Sequence, residues 1–208
     1  TMKKRTMSSP RKHIVTQTSQ SRRTLFVGDV HGCSDELTRL LQITAPSRVV
    51  LLGDLFTKGP DPVGVWELIQ KWNAEAVLGN HDEYTLSSTN DIKSKLRAIL
   101  PQEALRWLQS CPLMIEEADW IAVHAGINPV TMSITKESAL YLRRWPNDED
   151  PSNPFWWQLY EGSKLVLYGH DAKRKLQDNR PRTLGLDSGC VYGGGLSGYL
   201  LEEDKVIT

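Results

Sequence analysis

The sequence predicts an α/β fold in which helices flank central mixed β-sheets. Three observations carry that expectation. Short, continuous apolar runs recur from Thr24 onward, helical periods separate the earlier ones, and the later ones follow one another closely. Uninterrupted apolar runs of this length suit strands covered on both faces. Early alternation of strand and helix, with strands crowded near the end, suits layers of helix around a mixed sheet.

Taken in order, 24–28 (TLFVG) opens the pattern and 34–43 (SDELTRLLQI) follows with helical spacing. After 48–52 (RVVLL) comes DPVGVWELIQKW, where Asp61 is the expected N-cap and Pro62 the first helical residue. Its Val65, Leu68, Ile69 and Trp72 form an apolar face at i, i+3, i+4 and i+7. Residues 75–78 read as a third strand and 93–109 as a helix; further strands are expected at 120–123, 164–168, 182–186 and 197–201. The stretch 146–158 (PNDEDPSNPFWWQ) is a loop by composition. Its Phe155, Trp156 and Trp157 either line a substrate groove or pin the loop to the core. The glycines at 193–195 read as a tight connection between Tyr192 and Leu196.

At 208 residues the chain has the length of one domain, expected over 24–208. Apolar residues make up 39%, and no stretch nears the roughly 20 apolar residues of a membrane span, so a soluble protein is expected. Cys33, Cys111 and Cys190 are widely spaced and form no Cys-x-x-Cys pair, which argues against a disulfide framework and a structural zinc site. A reducing, cytoplasmic setting is expected. The formal net charge of zero hides an asymmetry, because residues 1–24 hold seven basic side chains and no acid, leaving an acidic body. Residues 1–23, rich in Ser and Thr, read as a disordered, solvated tail. A targeting segment or a nucleic-acid-binding arm are the alternatives for it.

Outside the tail, the histidines His31, His81, His124 and His170 all lie within three residues of an expected strand end. Asp29, Asp54 and Asn80 occupy equivalent positions, each preceded by glycine. In open α/β sheets ligands bind beyond the carboxyl ends of strands. A rim of imidazoles and carboxylates without thiolates suits manganese, iron, zinc or related divalent ions. The donors outnumber what one open metal site takes from protein, so a pair of ions about 3.5–4 Å apart is inferred. No Gly-x-x-x-x-Gly-Lys-[Ser/Thr] or Gly-x-Ser-x-Gly motif occurs, which disfavours a P-loop nucleotidase and a serine hydrolase.

In order along the chain, GDVHG (28–32), GDLFTKG (53–59), GNHD (79–82), HAG (124–126) and GHD (169–171) resemble the motifs of the phosphoprotein-phosphatase-type metallophosphoesterases. KGPDP, HAGINP and GLDSGCVYGGGL look like the diadenosine-tetraphosphatase, or ApaH-like, branch. The resemblance spans about 24–201 and implies the calcineurin-like metallophosphoesterase architecture. It also implies two divalent ions, manganese first, with cobalt, iron, zinc and magnesium as alternatives. By position, Asp29 and His31 would hold the first ion, Asp54 would bridge, and Asn80, His124 and His170 would hold the second. His81 would be the general acid. Lys58 stands where an arginine is common, and Arg143 or Arg144 matches a second phosphate-binding arginine.

The expected reaction is two-metal hydrolysis of phosphoric anhydrides or monoesters. Dinucleoside polyphosphates lead as substrates, with inorganic polyphosphate and capped RNA ends beside them. A protein serine/threonine phosphatase is the nearest rival, and a catalytically dead phospho-binding module the more distant one. Two departures bear on this choice. Thr57-Lys58 replaces the Asp-Arg pair of protein phosphatases, so His81 lacks its acidic partner there, with water or another carboxylate such as Asp82 as the substitute. Lysine also grips phosphate as a point charge rather than a fork. Both favour an acidic phosphate leaving group. Asp187, beyond the run at 182–186, is expected to cap a turn.

Overall fold

The computed structural model describes residues 22–87 and 91–208. Its apolar runs are uninterrupted because their strands are sandwiched. One five-stranded sheet has the order β10 (Lys205–Ile207), β9 (Gly198–Leu200), β1 (Thr24–Val27), β2 (Arg48–Leu51) and β3 (Glu75–Ala76). The second runs β4 (Met114–Glu116), β5 (Trp120–Val123), β6 (Leu165–Tyr168), β8 (Thr183–Gly185) and β7 (Gln177–Asn179). The central mixed sheets flanked by helices that the sequence predicts are thus present as a packed pair.

Alternate side chains of each strand enter different layers, as a period of two requires. Phe26, Val50, Leu52 and Val77 meet Trp120, Ala122, Leu167 and Leu184 between the sheets. Leu25, Val27, Val49 and Leu51 point the other way, onto α1 (Ser34–Thr44), α2 (Pro62–Trp72) and α5 (Gln102–Ser110). On the far side, Ile121, Val123 and Val166 pack on α6 (Lys136–Tyr141) and α7 (Trp156–Leu159).

Asp61 caps α2 as expected, its side chain accepting from Gly64 N at 2.9 Å, with Pro62 opening the helix. The helix expected over 93–109 is two, α4 (Asp91–Ile99) and α5, because Pro101 lacks an N–H and ends the first period. The third strand closes at Ala76, and the chain enters α3 (Asn80–Ser87) at Asn80 itself. The edge strands β4, β7 and β10 are only three residues long, and β7 (QDN) carries no apolar residue to signal it in the sequence. The last two residues of the basic segment belong to the folded body. Arg23 O accepts from Ser47 N and Arg48 N, and Arg22 pairs with Glu117. The rest of that segment, residues 1–21, lies outside the described residues.

What positions the site is the parallel core of each sheet. β1, β2 and β3 run parallel, as do β5, β6 and β8. Their carboxyl ends open on one rim, where residues following both sets of strands touch. Phe26 is fully buried and meets Trp120 edge-to-face across the sheets, ring centroids 4.8 Å apart. Phe26→Ala should lower the free energy of unfolding by about 3–5 kcal/mol, measured by urea denaturation followed by tryptophan fluorescence.

Candidate metal centre

Six strands each release one polar side chain at the rim: Asp29 after β1, Asp54 after β2, Asn80 after β3, His124 after β5, His170 after β6 and Asp187 after β8. The turns that aim them are unusual. His31, Asp54, Lys58 and His170 all have positive φ, between 47° and 71°. The left-handed region costs an L-residue about 1–2 kcal/mol, and such strain gathers at functional sites. Hydrogen bonds between the turns hold it. His31 N donates to Asp54 O at 2.8 Å, Gly169 N to His124 O at 2.8 Å, and His170 N to Asp29 Oδ1 at 3.0 Å.

Asp54 lies at the centre. Its Oδ2 is 3.5 Å from His31 Nε2, and its Oδ1 is 3.5 Å from His124 Nε2. Asp29 Oδ2 stands 3.9 Å from the same His31 nitrogen. Asn80 Oδ1 lies 2.9 Å from His124 Nε2 and 3.1 Å from His170 Nδ1. All six predicted ligand residues thus converge, in two donor groups that share Asp54.

The donor set fits cations. His124 Nδ1 is 2.7 Å from Leu52 O, which fixes a proton there. Burial lowers the His124 pKa, so the ring is neutral and its Nε2 lone pair faces two oxygens. His31 Nδ1 is likewise committed, to Thr57 Oγ1 at 2.9 Å, leaving Nε2 toward the carboxylates. Metal-binding histidines are commonly oriented in this way through the other ring nitrogen. Burial, then His124, pushes the His170 pKa down to about 2. Burial, then the charges of Asp187 and Asp54, raises the Asp29 pKa well above the carboxylate range. Neutral imidazoles and mutually repelling carboxylates leave the rim short of positive charge, which divalent ions supply. Asp29, Asp54 and His124 bring one ligand atom each within 4.8 Å of one another.

A family model described as calcineurin-like phosphoesterase matches residues 22–203. The chain belongs to the calcineurin-like phosphoesterase family. It is a metal-dependent hydrolase of phosphoric esters or anhydrides. A symmetrical bis(5'-nucleosyl)-tetraphosphatase from Aeromonas hydrophila is 37% identical, over 88% of this chain and 95% of the relative. An asymmetrical bis(5'-nucleosyl)-tetraphosphatase PrpE from Bacillus velezensis is 26% identical, over 88% of this chain and 90% of the relative. A crystal structure provisionally assigned as a diadenosine tetraphosphatase superposes with a TM-score of 0.81 at 30% identity, covering 91% of this chain and 93% of that one.

Beside the rim, this phosphoesterase has a cavity of about 710 Å³ lined by Lys58, Arg143, Arg144, Lys173 and Arg174 as well as all the donors but the fully buried His124. Lys58 Nζ lies 3.4 Å from His31 Nε2. Arg143 reaches toward Asp148 and Asp171, at 3.8 and 4.0 Å. Arg144 instead donates to Asn153 O and lies 4.2 Å over the Phe155 ring. The aromatic trio divides: Trp156 is core, its Nε1 donating to Ala125 O at 3.1 Å, while Phe155 lines the cavity. Lys173 and Arg174 went unread in the sequence, although they follow GHDA directly.

Two expectations about local roles change. Asp82 is not placed to orient His81, because its buried carboxylate accepts from Asp54 N, Leu55 N and Gly79 N at 2.7, 3.0 and 3.1 Å. It clamps the turn after β2 to the start of α3. Thr57, read as a missing partner of His81, serves His31, while the His81 ring packs edge-on to His31 with centroids 5.2 Å apart. Asp187 does cap a turn, accepting from Gly189 N at 3.0 Å, and its charge also bears on Asp29. A Cβ on Gly169 would fall 2.0 Å from Asp29 Oδ1. Gly169→Ala should therefore displace that carboxylate and cut phosphatase turnover by about 10²-fold, with far-ultraviolet circular dichroism unchanged.

Proposed function

We propose that this phosphoesterase hydrolyses the phosphoric anhydrides of nucleotide-type substrates, dinucleoside polyphosphates foremost. The observation that carries the reading is Asp54, whose two oxygens face two different imidazole groups, the placement a carboxylate needs to bridge two ions. Asp29 and His31 hold one ion; Asn80, His124 and His170 hold the other; manganese is the first choice for both. When bound, such ions neutralise phosphoryl oxygens and lower the pKa of water.

The remaining work falls to the chain. Lys58 and Arg143 grip the non-bridging oxygens of the phosphoryl group, where charge develops in the transition state. Arg143 is preferred to Arg144 because Arg144 is committed to Asn153 O and the Phe155 ring. His81, on the first turn of α3 with its N–H donating to Asp54 Oδ1 at 2.9 Å, protonates the leaving oxygen. That demand is modest, since an anhydride departs as a weakly basic phosphate. Tetraphosphatase names among relatives of nearly full length support this choice. The protein phosphatase reading has only fold behind it: a Saccharomyces cerevisiae protein serine/threonine phosphatase superposes with a TM-score of 0.55 at 12% identity.

Turnover of diadenosine tetraphosphate is expected to exceed that of a phosphoserine peptide under manganese; the reverse order would overturn the proposal. Asp54→Asn should abolish turnover and lower bound metal, measured by elemental analysis of the purified protein. His81→Ala should lower kcat by about 10²–10⁴-fold with metal content unchanged. A loss of metal in that variant would assign His81 to the ligand set instead. Arg143→Ala should lower kcat/KM more than Arg144→Ala does, read in parallel assays.

A further inference from the structure

The phrase GLDSGCVYGGGL contains a tyrosine that the reaction leaves unused. Gly189 and Gly193, with φ of 75° and 86°, bracket a single 3-10 turn over Cys190–Tyr192. The glycine at 194 is a steric necessity, since a Cβ there would lie 1.9 Å from Ser188 O. Hydrogen bonds fix the turn from behind: Gly189 N to Asp187 Oδ1 at 3.0 Å, Ser188 Oγ to Gly195 O at 2.9 Å, and Ser197 Oγ to Ser188 Oγ at 2.7 Å. Cys190 and Val191 pack into the core beneath it.

Tyr192 alone is turned outward, 67% exposed, and it lines the same cavity as Asp29, His31 and Lys58. An exposed aromatic ring on so rigid a turn adds little to the core and presents a face at the cavity mouth. Lys58 supplies the scale. Its Nζ is 3.4 Å from His31 Nε2 and 5.4 Å from the centre of the Tyr192 ring. A phosphoryl group gripped by Lys58 thus has the nucleoside attached to its chain within reach of that ring. Aromatic side chains beside phosphate-binding cations hold nucleobases by stacking, with little dependence on which base is present.

We propose that Tyr192 is the stacking platform for a nucleobase of the substrate, whose phosphates are held by Lys58 at the edge of the rim of carboxylates and imidazoles. The inference rests on the nucleotide reading above and deepens it. A bare polyphosphate has no ring to place there.

The test compares two competitors that share a triphosphate and differ by a nucleoside. ATP and inorganic tripolyphosphate are each titrated as inhibitors of aryl phosphate hydrolysis with manganese present, in the full-length protein and in Tyr192→Ala and Tyr192→Phe. The alanine variant should weaken ATP by about tenfold relative to tripolyphosphate, and the phenylalanine variant should restore the wild-type ratio. An unchanged ratio in Tyr192→Ala, whether both constants hold or both weaken together, overturns the proposal. Failure of the underlying reading shows separately, as wild-type protein that leaves diadenosine tetraphosphate intact; the ratio of inhibition constants still decides the role of Tyr192.

Discussion

Asp29, Asp54 and Asp187 lie at the ends of three strands, each no more than 5% exposed, with imidazoles for neighbours. Gathering carboxylates away from water is costly, and burial together with Asp187 and Asp54 raises the pKa of Asp29. Positive charge placed among them offsets that cost, and burial keeps His124 and His170 from providing it. The metal dependence of the family is thus written into the electrostatics of the rim.

Such a cluster has to be held open against its own repulsion, and the fold does so with backbone. Two three-stranded parallel cores point their carboxyl ends at one rim, so neighbours in space come from strands far apart in sequence. Left-handed turns at His31, Asp54 and His170 aim the side chains inward, and hydrogen bonds between turns hold them there. Asp82 is part of that framework. It accepts from three amides, which steadies the turn carrying Asp54 although burial pushes its own pKa up to about 6.

Cations gather beside the rim. Lys58, Arg143, Arg144, Lys173 and Arg174 line the cavity, with Asp148 and Asp171 next to Arg143. The arginines are positioned rather than loose: Arg144 and Arg174 lie over the Phe155 ring at 4.2 and 4.6 Å, and Phe155 stacks on Trp157 with centroids 5.3 Å apart. A polyanion several phosphates long meets cations along that wall, while a single phosphate would use few of them. The chain's weakly acidic body therefore presents a locally basic entrance.

By itself the sequence determined the strands buried on both faces and the capped helix after Asp61, and it set polar residues at strand ends, because apolar runs and the glycines before Asp29, Asp54, Asn80 and His170 leave local signals. It also placed Asp187 at a turn. The tertiary structure decided what depends on distance. Edge strands such as β7 carry no period of their own, and Pro101 divides a helix that apolar spacing alone would run through. Thr57 bonds to His31 and not to His81, Asp82 turns away from His81 onto three amides, and Arg144 leans on Phe155, leaving Arg143 beside Asp171. Those assignments depend on which groups compete for each partner, and competition is settled only once residues remote in sequence share the same few ångströms.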